Sequence, residues 1–297
     1  MSPVEEHPSE PFIGRLRSAV TAAEVAVLSV VPVLLVGVFA LPVGTRETLV
    51  FAYAEPTLRT AFAANFVHLE MGHLLTNLVG YGLVVPVVYL LSVLSGHRKR
   101  FWVAFATFLL AFPVALSYLN LAVARPGGTV GFSGITMAFV GLLPIALSGY
   151  LDMHLDIDGE LDLASGLHFV GLALIAVLSL RSMPAYGIAF AALLAAVLCW
   201  SSLLDGDASV RSSLRAAARA PGYLELAAVG VVLFVGLPVA AFPVDAVADG
   251  VLNPYAHLFG YALGFIATYA TVQIARRPGP GVATTGPFSS PLSKDRP

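Results

Sequence analysis

The chain has 297 residues, of which 58% are hydrophobic and only 11% are charged. Because a soluble globular domain carries about 25% charged residues, this composition predicts a protein that lies largely in lipid. The net charge of -2 excludes the strongly basic balance of a nucleic-acid-binding protein, and the single cysteine, Cys199, excludes a disulfide framework and a cysteine-rich metal site.

Eight apolar stretches approach the length of about 20 residues that a helix needs to cross the hydrocarbon core. In chain order they are residues 23 to 43, 65 to 95, 101 to 123, 130 to 151, 166 to 180, 184 to 204, 223 to 242 and 251 to 275. The fifth is short and is separated from the sixth only by the segment Arg181 to Pro184, so the two could instead form one crossing and a re-entrant piece.

The sequence therefore predicts an all-α, polytopic transmembrane bundle of about eight spans over residues 23 to 276. A polar segment, residues 1 to 22, precedes the bundle, and a Pro-, Gly- and Ser-rich tail, residues 277 to 297, follows it and is expected to be disordered. Cytoplasmic loops of membrane proteins hold an excess of Lys and Arg. If the N-terminus is cytoplasmic, only four of the 16 Lys and Arg residues lie on the outer side, namely Arg46, Arg59, Arg125 and Arg181. We therefore expect a multi-pass protein of the cell membrane with both termini in the cytoplasm.

One loop on the expected cytoplasmic side is acidic and superficially resembles a calcium-binding loop. Its ionisable residues are Asp152, His154, Asp156, Asp158, Glu160 and Asp162. The Asp/Asn spacing and the closing Glu of a calcium loop are absent. A solvated acidic loop without a metal ion is therefore the better interpretation.

Polar side chains inside apolar spans are costly in lipid and are therefore candidates for function. In the second stretch His73 and Asn77 are four residues apart, a spacing that puts both side chains on one face of a helix. His68 and Glu70 precede them near the outer interface, where structural and functional roles are both open.

The fourth stretch contains Gly131, Phe132, Ser133 and Gly134 near its start. Its serine lies in the first turn of the predicted helix, between glycines that allow another backbone to approach closely. The unpaired N–H groups of that first turn can hold an anion. The segment therefore combines a nucleophile with a possible anion site.

The eighth stretch carries a lone histidine, His257, followed by Gly260 and Gly264 at the small-xxx-small spacing of tightly packed membrane helices. In the eight-span topology the second, fourth and eighth stretches all run inward from the outer face. A rise of about 1.5 Å per residue puts Ser133 about 5 Å, His257 about 9 Å and His73 about 12 Å below the outer boundary. The three groups therefore share one layer.

Together these motifs resemble the rhomboid family of intramembrane serine proteases. Its members carry His-x-x-x-Asn in the second helix, Gly-x-Ser-Gly in the fourth and Ala-His-x-x-Gly-x-x-x-Gly in the last core helix. The matching residues are His73 with Asn77, Gly131 to Gly134, and Ala256, His257, Gly260 and Gly264. His68 also matches a histidine common in the family, and the resemblance covers roughly residues 60 to 275.

The resemblance implies a catalytic dyad in which Ser133 attacks a peptide carbonyl and His257 acts as general base. His73, Asn77 and the Ser133 N–H would then form the oxyanion hole. The supporting residues would be His68, Gly131, Gly134, Gly260 and Gly264. The substrates would be transmembrane segments of other membrane proteins, cut from the outer face, with membrane lipid as the surrounding partner. No cofactor, metal ion or nucleic acid is implied.

Three features depart from the family pattern. Three spans lie between the serine and histidine spans, where the six-span family core has one, so the fifth and sixth stretches would be an insertion. The loop from Gly44 to Ala64 lacks the Trp-Arg pair often seen in the family. Met137 stands four residues after Ser133, where an aromatic residue often supports the histidine.

Other functions fit the sequence less well. A catalytically silent rhomboid-like protein that binds transmembrane clients is the main alternative, although such proteins typically lack the serine or the histidine. A transporter would use paired charges or broken helices at the membrane midplane, whereas the charged residues here lie at span ends. A zinc protease needs His-Glu-x-x-His, and His68, Glu70 and His73 have the wrong spacing.

Overall fold

The computed structural model describes residues 12–123, 126–155, 159–179, 182–203, 221–242 and 253–276. The helices in these ranges are α1 (Phe12–Ala19), α2 (Ala22–Phe39), α3 (Val43–Glu47), α4 (Leu58–Ala63), α5 (Met71–Leu94), α6 (Arg98–Leu110), α7 (Phe112–Asn120), α8 (Ser133–Leu155), α9 (Glu160–Ser179), α10 (Met183–Trp200), α11 (Tyr223–Ala241) and α12 (Pro254–Arg276). Two short strands, β1 (Phe51–Ala52) and β2 (Gly128–Thr129), pair antiparallel. The predicted tail from residue 277 lies outside the described residues.

The predicted polytopic all-α bundle is confirmed. Within the described ranges, seven helices are each long and apolar enough to cross a membrane, namely α2, α5, α8, α9, α10, α11 and α12. The pair α6 and α7 passes the same test together, although it is bent by 50°. Pro113 in the first turn of α7 explains the break, because proline has no N–H to continue the preceding helix.

The fifth and sixth predicted stretches form two separate helices, α9 and α10. Ser182 caps α10 by accepting a hydrogen bond from the Ala185 N–H at 3.4 Å, and Pro184 lies in the first turn, where its fixed φ suits a helix start. α10 packs chiefly on α9. The contact uses small residues, with Ala173 of α9 against Ala189 and Ala192 of α10.

The second predicted stretch was placed too early in the chain. A 3₁₀ turn spans Ala64–Phe66, Val67 is extended, and α5 begins only at Met71. The segment between them is held away from helical geometry because the Arg46 guanidinium binds the carbonyls of His68 and Leu69. His73 is consequently the third residue of its helix, about 3 Å along the axis from the helix start. A helix that began at residue 65 would put His73 about 12 Å from its start.

α8 forms the centre of the bundle, since 94% of its most apolar 18-residue segment is buried in the protein. It packs most extensively on α12. A Cβ atom added to Gly260 would lie 2.0 Å from the Gly134 carbonyl oxygen, and one added to Gly264 would lie 2.1 Å from that of Ala138. The contacts advance together along both helices, so α8 and α12 run in the same direction. The predicted glycine face of the last helix is therefore confirmed.

At the end of the bundle opposite Ser133, a buried carboxylate joins three helices. Glu160, the first residue of α9, is 5% exposed and forms ion pairs with Arg100 of α6 and Arg276 of α12. The acidic loop was expected to be solvated, and for Glu160 that expectation is wrong. Asp156 and Asp158 lie outside the described residues.

Candidate active site

Ser133 is the first residue of α8, as the sequence predicts, and its side chain is half-buried. Gly131, two residues earlier, has a φ of 108°, a left-handed conformation that favours glycine. The Gly131 N–H donates to the Ala64 carbonyl at 2.9 Å, and the Phe132 N–H donates to His68 Nε2 at 3.4 Å. These bonds fix the turn that presents the serine.

His73 lies directly against this turn. A Cβ atom on Gly131 would fall 2.4 Å from Cε1 of the His73 ring, so no larger residue fits at this position. Asn77 is one turn further along α5, is 3% exposed and donates from Nδ2 to the His73 carbonyl at 2.9 Å. The amide nitrogen has two N–H donors, so one remains for a second acceptor.

His68 supports the site from the segment before α5. Its ring is fully buried and meets the His73 ring edge-on, with centroids 4.9 Å apart. Burial, with a smaller contribution from His73, lowers the pKa of His68 to about 4. A neutral ring suits its role as the acceptor for the Phe132 N–H.

Arg46 is a supporting residue that the sequence alone did not single out. Besides binding the His68 and Leu69 carbonyls, its guanidinium lies 4.3 Å from the centre of the Phe39 ring. The side chain is buried, although the residue was expected simply as one of four outer-side cations. Its hydrogen bonds and its contact with an aromatic face fix the loop that delivers His68 to the site.

His257 lies in the first turn of α12 and is 5% exposed. Its Nδ1 lies 3.0 Å from the carbonyl oxygen of Ala241, the last residue of α11. A carbonyl can only accept, so the proton must be on Nδ1 and the lone pair on Nε2. Phe242 meets the imidazole edge-on, with centroids 5.6 Å apart and the planes at 89°.

The start of α12 is tied to the segment that leads into Ser133. The Asn253 side-chain oxygen accepts from the Ala256 N–H at 3.2 Å, as a helix cap does. Its amide nitrogen donates to Asn120 at 2.9 Å and to Thr129, in β2, at 3.3 Å. Asn253 therefore links the histidine helix to α7 and to the strand before the serine.

The structure brings the predicted site residues together at one end of three parallel helices. Gly134, next to Ser133, packs against the carbonyl of Ala256, next to His257. Within the described residues no hydrogen bond joins the Ser133 hydroxyl to His257, and catalytic hydrogen bonds are often long before substrate binds. The hydroxyl of Ser133, the imidazole of His257 and the amide of Asn77 thus lie on three helices that pack together at this end of the bundle.

The aromatic support for His257 comes from an element that the sequence did not indicate. Met137 is buried and its Cβ would lie 3.2 Å from a Cβ added to Gly260, so it packs on α12 one turn beyond the histidine. The aromatic ring at His257 belongs instead to Phe242. Its distance in sequence and the lack of a motif around it explain why it was missed.

Comparison of the chain with protein-family models, with curated proteins and with solved structures finds no match. The likeness to rhomboid proteases therefore rests on the three motifs and stays a prediction. Among the described residues, no group of three or more His, Cys, Asp or Glu side chains is arranged to hold a metal ion.

Proposed function

We propose that the chain is an intramembrane serine endopeptidase that cuts transmembrane segments of other membrane proteins with a Ser133–His257 dyad. The observation that best supports this function is the state of His257. Its Nδ1 proton is committed to the Ala241 carbonyl, so Nε2 is an unprotonated base. The helix that carries this base packs backbone against backbone on the helix that begins at Ser133.

The reaction follows from these positions. As the Ser133 oxygen attacks the peptide carbonyl, its proton passes to Nε2 of His257, and the same proton then leaves with the amine of the cleaved bond. The acyl group stays on Ser133 until a water molecule, deprotonated by His257, hydrolyses the ester. Both products are released and the serine is regenerated.

The oxygen of the attacked carbonyl becomes negative in the transition state. The His73 ring packs against Gly131, two residues before Ser133, and Asn77 lies one turn further along α5 with a second amide N–H besides the one given to His73. The backbone N–H groups in the first turn of α8 have no intrahelical partner. Donors that are already oriented toward a developing charge stabilise the transition state more than the bound substrate. Asn77 and His73 thus act as the oxyanion hole.

The decisive experiment is labelling of the purified protein with a fluorophosphonate probe, beside cleavage of a model transmembrane substrate in liposomes. Wild type should be labelled and active, whereas Ser133→Ala and His257→Ala should lose cleavage while staying folded. The double variant should be no worse than either one, since members of a catalytic unit are not additive. Ser148→Ala, which removes another buried hydroxyl from α8, is the matched control and should stay active.

Two results would overturn the assignment. Proteolysis that persists in pure Ser133→Ala protein would remove the serine from the chemistry. A folded wild type that binds transmembrane segments but is neither labelled nor active would instead support the catalytically silent client-binding alternative.

Asn77→Ala separates an oxyanion-hole role from a packing role. Loss of one such donor lowers turnover by about 10² to 10³-fold, with little change in substrate affinity. The control is Asn65→Ala, because Asn65 is also a buried amide but donates only to the Ala61 and Pro113 carbonyls and to Ser117. Asn65→Ala should lower the melting temperature and leave turnover per folded molecule unchanged. The same pattern for Asn77→Ala would exclude Asn77 from the site.

The proposed location is the cell membrane, with both termini in the cytoplasm and the site opening to the outer face. This orientation rests on the Lys and Arg distribution of the sequence. In a Cys199→Ser background, cysteines at residues 155 and 290 should react only with reagents on the cytoplasmic side, and a cysteine at residue 248 only with reagents outside. Reaction of residues 155 and 248 from the same side would refute the topology.

A further inference from the structure

The C-terminal end of α11 contacts His257 through two adjacent residues. The Ala241 carbonyl accepts the Nδ1 proton at 3.0 Å, and the Phe242 ring, which is 1% exposed, packs edge-on against the imidazole. Neither residue lies on the helices that carry Ser133 or His257. A separate helix therefore determines how the base is held.

The Ala241 carbonyl is available because of its place in the helix. The last four carbonyls of a helix have no intrahelical partner, and the neighbouring Phe242 N–H closes the final turn by donating to Pro238 at 3.0 Å. A helix C-terminus also carries partial negative charge, which favours a cation nearby. The end of α11 is thus suited to accept a proton from an imidazole and to stabilise the imidazolium.

In a serine protease triad, a carboxylate holds the histidine in the correct tautomer and stabilises the imidazolium that forms. Within the described residues, the Nδ1–H of His257 donates to the Ala241 carbonyl and to no carboxylate. Without that acceptor, a neutral imidazole would populate both tautomers, and the one with a proton on Nε2 cannot act as base toward Ser133.

We infer that the end of α11 is the third member of the catalytic unit, with the Ala241 carbonyl in the place of the triad carboxylate and Phe242 as the ring that holds the imidazole. This inference rests on the proposed function. The Nδ1 proton stays on His257 and remains bonded to Ala241 throughout, while the Ser133 proton moves to Nε2 and then to the leaving amine. Ala241 and Phe242 are positioning residues, since neither contacts the reacting atoms.

The test makes the Ala241 carbonyl a weaker hydrogen-bond acceptor without changing a side chain. Phe242→phenyllactate turns the bond between residues 241 and 242 into an ester, whose carbonyl is a poorer acceptor, and keeps the aromatic ring. It also removes the N–H that donates to Pro238. Ala240→lactate is the matched control, because it removes a backbone N–H from the same turn and leaves the Ala241 carbonyl an amide.

Cleavage kinetics and the rate of fluorophosphonate labelling are measured for both full-length variants. We expect Phe242→phenyllactate to lower kcat and the labelling rate by about ten- to a hundredfold, with KM unchanged, because the tautomer rather than substrate binding is affected. Ala240→lactate should remain within about twofold of wild type. Equal rates in the two variants would overturn the inference, whereas a wild type that is never labelled would overturn the proposed function itself.

Nitrogen NMR of histidine-labelled wild type provides a second measurement that does not depend on how the variants fold. The His257 signals, assigned by their loss in His257→Ala, should show a protonated Nδ1 and an unprotonated Nε2. A proton on Nε2 in the resting protein would overturn the role of Ala241. A shift toward mixed tautomers in Phe242→phenyllactate, absent from Ala240→lactate, would support it.

Discussion

Two pairs of helices in this protein pack through small residues, yet the contacts differ in kind. In the inner pair, α8 and α12, glycine meets main chain, with Gly264 against the Ala138 carbonyl and Gly141 against that of Tyr261. In the outer pair, α9 and α10, Gly166 meets the indole of Trp200. A side chain can rotate away from a new methyl group, whereas two packed backbones must separate. The inner pair is therefore the less tolerant one, and it is also the pair that carries Ser133 and His257.

Burial also sets α8 apart from α10, although the two helices are similarly apolar. In α8, 94% of the most apolar 18-residue segment is buried, whereas in α10 only 22% of the corresponding segment is buried. In lipid an apolar side chain gains little from facing another helix rather than an acyl chain. Hydropathy therefore identifies both spans without ranking them, and only the close glycine contacts distinguish the helix at the centre.

Glu160 joins the outer pair to the inner one, and its loss should produce the largest effect on stability. Glu160→Gln leaves the Arg100 side chain, which is 14% exposed, without its carboxylate. Removing one partner of a buried ion pair costs about 3 to 5 kcal/mol. Thermal unfolding in detergent measures the change.

Glu225→Gln is the control for Glu160→Gln, because Glu225 is an exposed glutamate in the first turn of α11 that caps the Gly222 N–H. Loss of such a cap costs about 1 kcal/mol. Similar decreases in melting temperature for the two variants would show that Glu160 does not join the two pairs.

The inner pair can be tested directly with Gly264→Ala. The added methyl group would lie 2.1 Å from the Ala138 carbonyl oxygen, so α8 and α12 must move apart. We expect a loss of about 1 to 3 kcal/mol and a loss of cleavage that exceeds the loss of folded protein, because the two helices carry the dyad. The control is Gly187→Ala in α10, where a Cβ meets nothing within 4 Å. Unchanged stability and activity in Gly264→Ala would refute the close backbone contact.

The smallest effect is expected for Gly166→Ala in the outer pair. Its methyl group would overlap the Trp200 ring, which can turn at the expense of its hydrogen bond to the Leu163 carbonyl. The net contribution of one hydrogen bond to stability is about 1 kcal/mol. Replacing glycine by alanine inside a helix stabilises it by about the same amount, so the two effects offset each other. Stability should change little and cleavage should not change. A loss as large as that of Gly264→Ala would abolish the distinction between the pairs.

The sequence predicted those features that depend on local pattern. The spans follow from length and apolarity, the helix start at Ser133 follows from the glycines before it, and the shared face of His73 and Asn77 follows from their spacing. The start of α5 was wrong by six residues, from 65 to 71, because a distant arginine, Arg46, holds the intervening carbonyls. No local pattern announces a long-range hydrogen bond of that kind.

The same limit applies to the residues around His257. Ala241 and Phe242 lie at the end of an ordinary apolar helix, and an alanine carbonyl carries no signal in a sequence. Met137 was the position to examine for aromatic support, and the support came from another helix instead. Side-chain motifs can thus indicate candidate reacting groups, whereas the backbone groups that orient them become visible only in the folded protein.

The burial of α8 also bears on how the protein is made. During synthesis the chain emerges N-terminal part first, so α8 enters the membrane before α11 and α12 exist. Its faces that finally contact those helices must first contact lipid or other membrane proteins. Ser133 therefore lacks both His257 and α11, the helix that holds the His257 ring, until nearly the whole described chain has been inserted. If the proposed function holds, a newly made copy acquires the complete dyad only when α12 is in place.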